Sequence, residues 1–356
     1  MIFPIRSGFA LGLALLSLLA ATSSQAAYFD EREDVRAFVA ELAARHPTLT
    51  QEGLLSALAQ AEPVPKVIDL IKPPTQPGVR SWKRYRARFL DAPRISGGVK
   101  FWQEHRATLE EASARTGVPA EIIVGIIGVE TIYGRNMGNF SALSALATLA
   151  FDYPPRAELF RRELEALFLL AKEQGQPVLS YRGSYAGALG LPQFLPSSLR
   201  HFAVDGDGDG LIDLRNNPKD AIMSVANFLA AHGWQKGGRV VLPVRLQDPA
   251  IDLAPLVEAG IEPRLDVQTL ARYGIRSDIP LDEQDRFTLV DLITPDEPTQ
   301  YWLGLQNFYV ITRYNRSSFY AMSVIELGRT IRLALEAHQE MAKLSEPPKS
   351  KRKGRK

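Results

Sequence analysis

Residues 122–129 read Ile-Ile-Val-Gly-Ile-Ile-Gly-Val, eight positions without a polar side chain, and Glu130 follows at once. A helix that is apolar all the way round has no face to offer water and must be enclosed by other elements. The chain therefore needs a core wrapped around this segment, and a carboxylate stands at its end. Desolvating that carboxylate is costly, so its pKa should rise. A carboxylic acid that keeps its proton near neutral pH can deliver it to a leaving group, which makes Glu130 a candidate general acid. The competing reading is a structural carboxylate paired with an arginine or capping a neighbouring loop.

At 356 residues the chain is long enough for two or three domains. Arg6 followed by the apolar stretch Phe9–Ala21, with small residues at Ser24-Gln25-Ala26, reads as a secretory signal over 1–26. The expectation is a periplasmic protein, with the mature chain starting at Ala27 and no later membrane span. There is no cysteine, hence neither a disulfide nor a lipid-bearing Cys after the signal. Residues 345–356 carry six Lys/Arg against Glu346 and read as a basic, solvated tail, whose weaker alternative is an electrostatic tether to an anionic surface. The body between holds 35 basic and 39 acidic residues, a balance that argues against nucleic acid as a partner.

Apolar spacing predicts a helix through Val35, Phe38, Val39 and Leu42, ended by Pro47, and a second through Leu54, Leu55 and Leu58. Five prolines within 63–78 predict an irregular connector. Helices are expected over 81–90, 98–116, 142–150 and 156–173, after Pro196, from Asn217-Pro218 to before Gly233, and over 318–343. Residues 175–190 should form a loop, while Arg239–Leu246 and Arg286–Ile293 read as strands.

Three further segments carry chemistry. Asp205, Asp207 and Asp209 fall at positions 1, 3 and 5 of an EF-hand-like loop, with Gly210 at 6, the Leu211 carbonyl at 7 and Asp213 at 9. Position 12 is Asn216 rather than Glu, and Asp220, four residues on, can supply the missing carboxylate or cap the next helix with Asn217. Hard oxygen ligands at this spacing suit a structural Ca²⁺. The stretch Ser184–Phe194 mixes glycines with Ser184 and Gln193, which can either orient a polar ligand or serve a tight crossing. The aromatic and amide cluster Tyr309–Tyr320 suits a sugar cleft, or ordinary packing.

Taken in order, Gly128-Val129-Glu130-Thr131-Ile132-Tyr133-Gly134-Arg135, the Ser184–Ser198 stretch, the Asp205–Asp220 loop and Thr312-Arg313-Tyr314-Asn315 with Tyr320-Ala321-Met322 resemble the lytic murein transglycosylase B family over most of 30–342. The resemblance implies a mainly α (α+β) fold. Its expected parts are an N-terminal helical region (27–95), a lysozyme-like core (96–237 and 301–344) and a small β-containing insertion (238–300). It implies cleavage of the β-1,4 bond between N-acetylmuramic acid and N-acetylglucosamine, with the muramoyl 6-hydroxyl as nucleophile and a 1,6-anhydro product. Glu130 matches the family's catalytic acid. Ser184, Gln193, Arg156, Tyr314, Asn315 and Tyr320 match its substrate positions, whereas Pro155 and Leu159 depart from its Arg and Tyr. Expected partners are peptidoglycan strands and other wall-remodelling enzymes. Ordinary glycosidases need two carboxylates. No second acid in a comparable apolar setting is evident, which suits an internal nucleophile. A hydrolytic muramidase and a non-catalytic peptidoglycan-binding protein are the alternatives.

Overall fold

A computed structural model describes residues 29–73 and 78–345; the expected signal segment, and the basic tail apart from Ser345, lie outside the described residues. The chain opens with helices α1 (Glu33–Arg45) and α2 (Gln51–Leu58), the second capped by the Thr50 hydroxyl accepting from the Gly53 N–H at 3.1 Å. The proline-rich connector is not wholly irregular. Pro65 starts α3 (Pro65–Ile71), since proline is tolerated at the first helical position, where no intrahelical donor is required.

Next come α4 (Trp82–Arg86), α5 (Ala92–Glu104) and α6 (Arg106–Thr116). The single helix expected over 98–116 is two, broken at His105, whose backbone leaves helical values (φ −113°, ψ 23°) while its ring packs 4.6 Å from Phe101. Gly117 ends α6 in the left-handed region (φ 76°), as its position predicts. The apolar run becomes α7 (Ala120–Thr131), with every residue from Ile122 to Val129 buried. It is followed by β1 (Phe140–Ser141), α8 (Ala142–Asp152), α9 (Ala157–Glu173), β2 (Arg182–Gly183), α10 (Pro196–Phe202) and α11 (Pro218–Ala231). β1 pairs antiparallel with β2, which lies in the 175–190 segment the sequence reads as loop.

The chain then builds β3 (Val241–Pro243), β4 (Arg245–Leu246), the short helices α12 (Ala254–Glu258) and α13 (Val267–Arg272), β5 (Ile275–Arg276), β6 (Thr288–Leu292) and β7 (Gln300–Gly304). β3, β7 and β6 form an antiparallel sheet in that order, and β4 pairs with β5. Leu242, Leu256, Leu270, Phe287, Leu289, Leu303 and Leu305 make a second, smaller apolar cluster here. β7 belongs with this sheet although the sequence places residues from 301 on in the helical core. Its Trp302 pairs in register with both Pro243 and Val290, so cross-strand bonding overrides sequence position. Finally α14 (Gln306–Tyr314) and the long α15 (Ser318–Ser345) return to the main core.

α7 and α15 touch at the backbone. A methyl built on Gly125 would stand 2.5 Å from the Val324 carbonyl oxygen, and one on Gly328 would overlap the Glu121 carbonyl. Reciprocal glycines on both helices thus allow an approach that any side chain would block. Overpacking such a contact costs about 1–3 kcal/mol. Gly125→Ala should therefore lower the urea midpoint of unfolding with little change in slope. An unchanged midpoint would mean that the two helices are not in this contact.

Candidate active site

Glu130 occupies the last turn of α7, half-buried where the helix meets α15. Burial pushes its carboxyl up to about 7, opposed by a hydrogen bond that Tyr320 Oη donates to Glu130 Oε1 at 2.7 Å. No neighbouring carboxylate contributes to that shift. The phenols of Tyr314 and Tyr320 are held well above their ordinary range, first by burial and then by the charge of Glu130, so both remain donors. Their rings lie nearly parallel (14°) with centroids 6.3 Å apart.

The segment after Glu130 is pinned to the glycine-rich stretch. Thr131 Oγ1 donates to the Leu191 carbonyl at 2.9 Å and accepts from the Gly134 N–H at 3.1 Å. Tyr314 Oη donates to the Pro192 carbonyl at 2.5 Å. α7, the 184–194 stretch and α14 therefore converge on one spot. Gln193, in the left-handed region (φ 53°), donates its amide to the Met137 and Gly190 carbonyls at 3.2 and 3.0 Å.

The acidic loop lies behind that stretch. One carboxylate oxygen from each of Asp205, Asp207 and Asp209 falls within 4.8 Å of the others. Asp205 also accepts from the Gly208 and Gly210 N–H groups at 2.7 and 2.8 Å. Beyond the loop, the Leu191 N–H donates to the Leu214 carbonyl at 2.8 Å and Arg215 Nη1 reaches the Arg182 carbonyl at 3.2 Å. The loop's exit thus holds the stretch that faces Glu130.

Residues 30–329 match the family model described as "Transglycosylase SLT domain". The membrane-bound lytic murein transglycosylase B of Escherichia coli (strain K12) is 41% identical over 317 residues, covering 86% of this chain and 84% of that protein. The chain belongs to the transglycosylase SLT domain family. Among solved structures, that of the catenated lytic transglycosylase SltB1 of Pseudomonas aeruginosa shows 43% identity and a TM-score of 0.80, covering 86% of this chain and 99% of its own. The Escherichia coli lytic transglycosylase Slt35 in complex with calcium shows 41% identity and a TM-score of 0.76, covering 85% and 93%. The mainly helical, lysozyme-like architecture expected from the sequence is the fold of this family member.

Within it, the residues singled out from the sequence fall into distinct places. Glu130, Tyr320 and Tyr314 form one cluster, and Asn315, exposed, ends α14 beside them with no side-chain partner among the described residues. Ser184 Oγ accepts from the Ala186 and Ala188 N–H groups at 3.3 and 3.1 Å, so it shapes its own turn and has only its proton to offer a ligand. Gln193 likewise commits its amide N–H groups and leaves its oxygen open. Arg156 is exposed, its guanidinium 5.3 Å above the Phe160 ring, and makes no hydrogen bond or ion pair with Glu130.

Two ligands expected in the acidic loop serve other partners. Asp213 accepts from the Arg215 and Asn216 N–H groups, each at 2.9 Å. Asp220, fully buried, takes the Gly206 and Asp213 N–H groups at 2.8 and 2.7 Å, so it clasps the loop from beneath. Second acids in apolar surroundings do exist. Glu163 and Asp291 are also buried, but each is met by donors: Ser197 N and Oγ at 3.0 and 2.7 Å for Glu163, and Arg80 for Asp291. Tyr85 escaped the sequence reading, yet the charge of Glu130 is among the causes that raise its phenol, after burial. Its spacing from Glu130 carries no motif, so only the fold reveals it.

Removing the Tyr320 hydroxyl takes away the one bond that favours ionised Glu130. A hydrogen bond to a charged group contributes about 1.5–3 kcal/mol. Tyr320→Phe should therefore raise the Glu130 pKa, move the alkaline limb of the kcat/KM–pH profile to higher pH and lower kcat roughly 10- to 100-fold. A limb that stays in place would remove Tyr320 from the tuning of the acid.

Proposed function

We propose that this protein is an exported peptidoglycan lytic transglycosylase in which Glu130 acts first as acid and then as base. The observation that carries the reading is a single carboxyl, raised to about 7 by burial, that accepts a tyrosine hydrogen bond and has no carboxylate beside it among the described residues. Neutral Glu130 gives its proton to the glycosidic oxygen as the bond from the muramoyl C1 breaks. The resulting carboxylate is stabilised by the Tyr320 hydroxyl. It then takes the proton of the muramoyl 6-hydroxyl as that oxygen closes on C1, leaving a 1,6-anhydro ring and restoring the acid. No water is consumed, which is why one carboxyl suffices where hydrolases use two. Tyr314, Asn315, Gln193 and Ser184 line the approach, and Arg156 contributes from farther along the glycan.

A hydrolytic muramidase would add water to its product, so mass spectrometry of digested sacculi separates the two reactions. Glu130→Gln should abolish release of anhydro fragments. It should also stabilise the fold at alkaline pH. A carboxyl whose pKa is raised from 4.5 to about 7 binds more protons folded than unfolded in that window, so wild-type stability falls as pH climbs through it. The amide escapes that loss. The variant's melting temperature should therefore exceed the wild type's at pH 8 and approach it at pH 4; retained sacculus lysis would overturn the assignment.

The Asp205–Asp209 loop fits a hard cation: carboxylate oxygens converge, glycines at 208 and 210 take the left-handed turn, and Asp205 and Asp207 repel Asp220. We assign it a structural Ca²⁺, held by Asp205, Asp207, Asp209 and the Leu211 carbonyl, with Asp213 and Asp220 supporting. When bound, the ion neutralises this cluster. A ligand that binds only the native state at 100 times its Kd adds about 2.7 kcal/mol. Calcium should thus raise the melting temperature and a chelator reverse it, whereas superimposable melts would eliminate the site.

A further inference from the structure

A groove of about 650 Å³ opens where the N-terminal region, the start of α15 and the small sheet region meet. Tyr85 and Phe319 are among its lining residues, as are the apolar Val257 and Ile261. It lies close to the acid, since Phe319 on its wall is next in sequence to Tyr320, which donates to Glu130. Tyr85 feels the charge of Glu130, and its ring lies 5.5 Å from that of Phe319.

The charges on the groove are unbalanced. Arg80 is spent on Asp291, with bonds of 3.0 and 3.2 Å. Arg84, Arg88 and Arg316 have no acidic partner among the described residues: Arg84 donates only to the Val79 carbonyl at 3.3 Å, and the other two make no hydrogen bond or ion pair there. Other arginines, such as Arg86, Arg200, Arg239 and Arg332, are paired with Glu326, Glu173, Asp285 and Glu121. Three uncompensated guanidiniums around one groove attract an anion with several carboxylates.

This step rests on the reaction proposed above. An N-acetylated glycan strand is itself uncharged. The negative charge of peptidoglycan is carried by the peptide that its muramoyl units bear on the lactyl ether. We infer that the groove receives this acidic peptide, with Arg84, Arg88 and Arg316 engaging its carboxylates and Val257 and Ile261 meeting its alanine methyls. The groove thereby selects peptide-bearing strands, while the glycan bond is cut at Glu130.

The test compares uncrosslinked strands carrying peptides with strands stripped of peptide and capped as lactyl methylamides, so that no carboxylate remains. Arg84→Ala/Arg88→Ala/Arg316→Ala should raise KM roughly tenfold on peptide-bearing strands, as weak ion pairs in parallel allow, and leave kcat unchanged. On capped strands the triple variant should match wild type within about twofold. Replacing the same three residues by Lys should restore most of the lost affinity, which a folding defect would not permit. Equal losses on both substrates, or none on either, would overturn the assignment of the groove. Wild type releasing no anhydro product from either strand would instead defeat the enzymatic reading itself.

Discussion

The glycine-mediated contact between α7 and α15 is what every other feature of the site relies on. Gly125 lies against Val324 and Gly328 against Glu121, so the two backbones leave no space for rotation or sliding. Gly128 extends the seam, with Leu327 Cδ2 3.0 Å from where its Cβ would be. One helix carries the acid and the other carries its tyrosine partner. A separation of 2.7 Å between Glu130 and Tyr320 is thereby set by main chain, which flexes far less than side chains do. Such rigidity matters because proton transfer falls steeply with misplacement.

Around that seam the protein treats its buried acids in two ways. Glu163, Asp220 and Asp291 each receive two donors, which compensates the loss of water. Glu130 receives one, from a phenol, and stays poised near neutrality. The difference lies in how each is supplied: satisfied carboxylates brace helix ends and loops, and the undersupplied one keeps a raised pKa. The acidic loop joins the two classes, since its exit residues Leu214 and Arg215 hold the stretch to which Thr131 is bonded.

Much of this was legible in the chain itself, for identifiable reasons. The run before Glu130 has no polar position, so its burial and the strain on the carboxyl follow from composition alone. The Asp205–Gly210 spacing is equally local. What escaped depends on contacts between distant segments. Tyr85 is 45 positions from Glu130, and only the packing of α4 against α15 brings it near. The break at His105 comes from a ring that prefers Phe101 to a continuous helix. Ser184 and Gln193 are polar residues in a glycine-rich stretch, yet most of their bonding capacity goes to neighbouring main chain, which residue type cannot disclose. β7 is short, and its membership in the sheet is a property of its two partners.

The way α7 stops adds a consequence of its own. Ile132 and Tyr133 both turn into the left-handed region (φ 53° and 56°), an unfavourable conformation for a β-branched and an aromatic side chain. Main-chain bonds from Ile132 to Gly128 at 3.2 Å and from Asn136 to Thr131 at 2.9 Å hold it there. Glu130 is consequently fixed at the electronegative pole of the helix, where aligned carbonyl dipoles repel an anion by about 0.3–1 kcal/mol. The chain termination that ends the helix so abruptly also biases its last carboxyl toward the protonated form, so backbone direction joins desolvation in readying the proton.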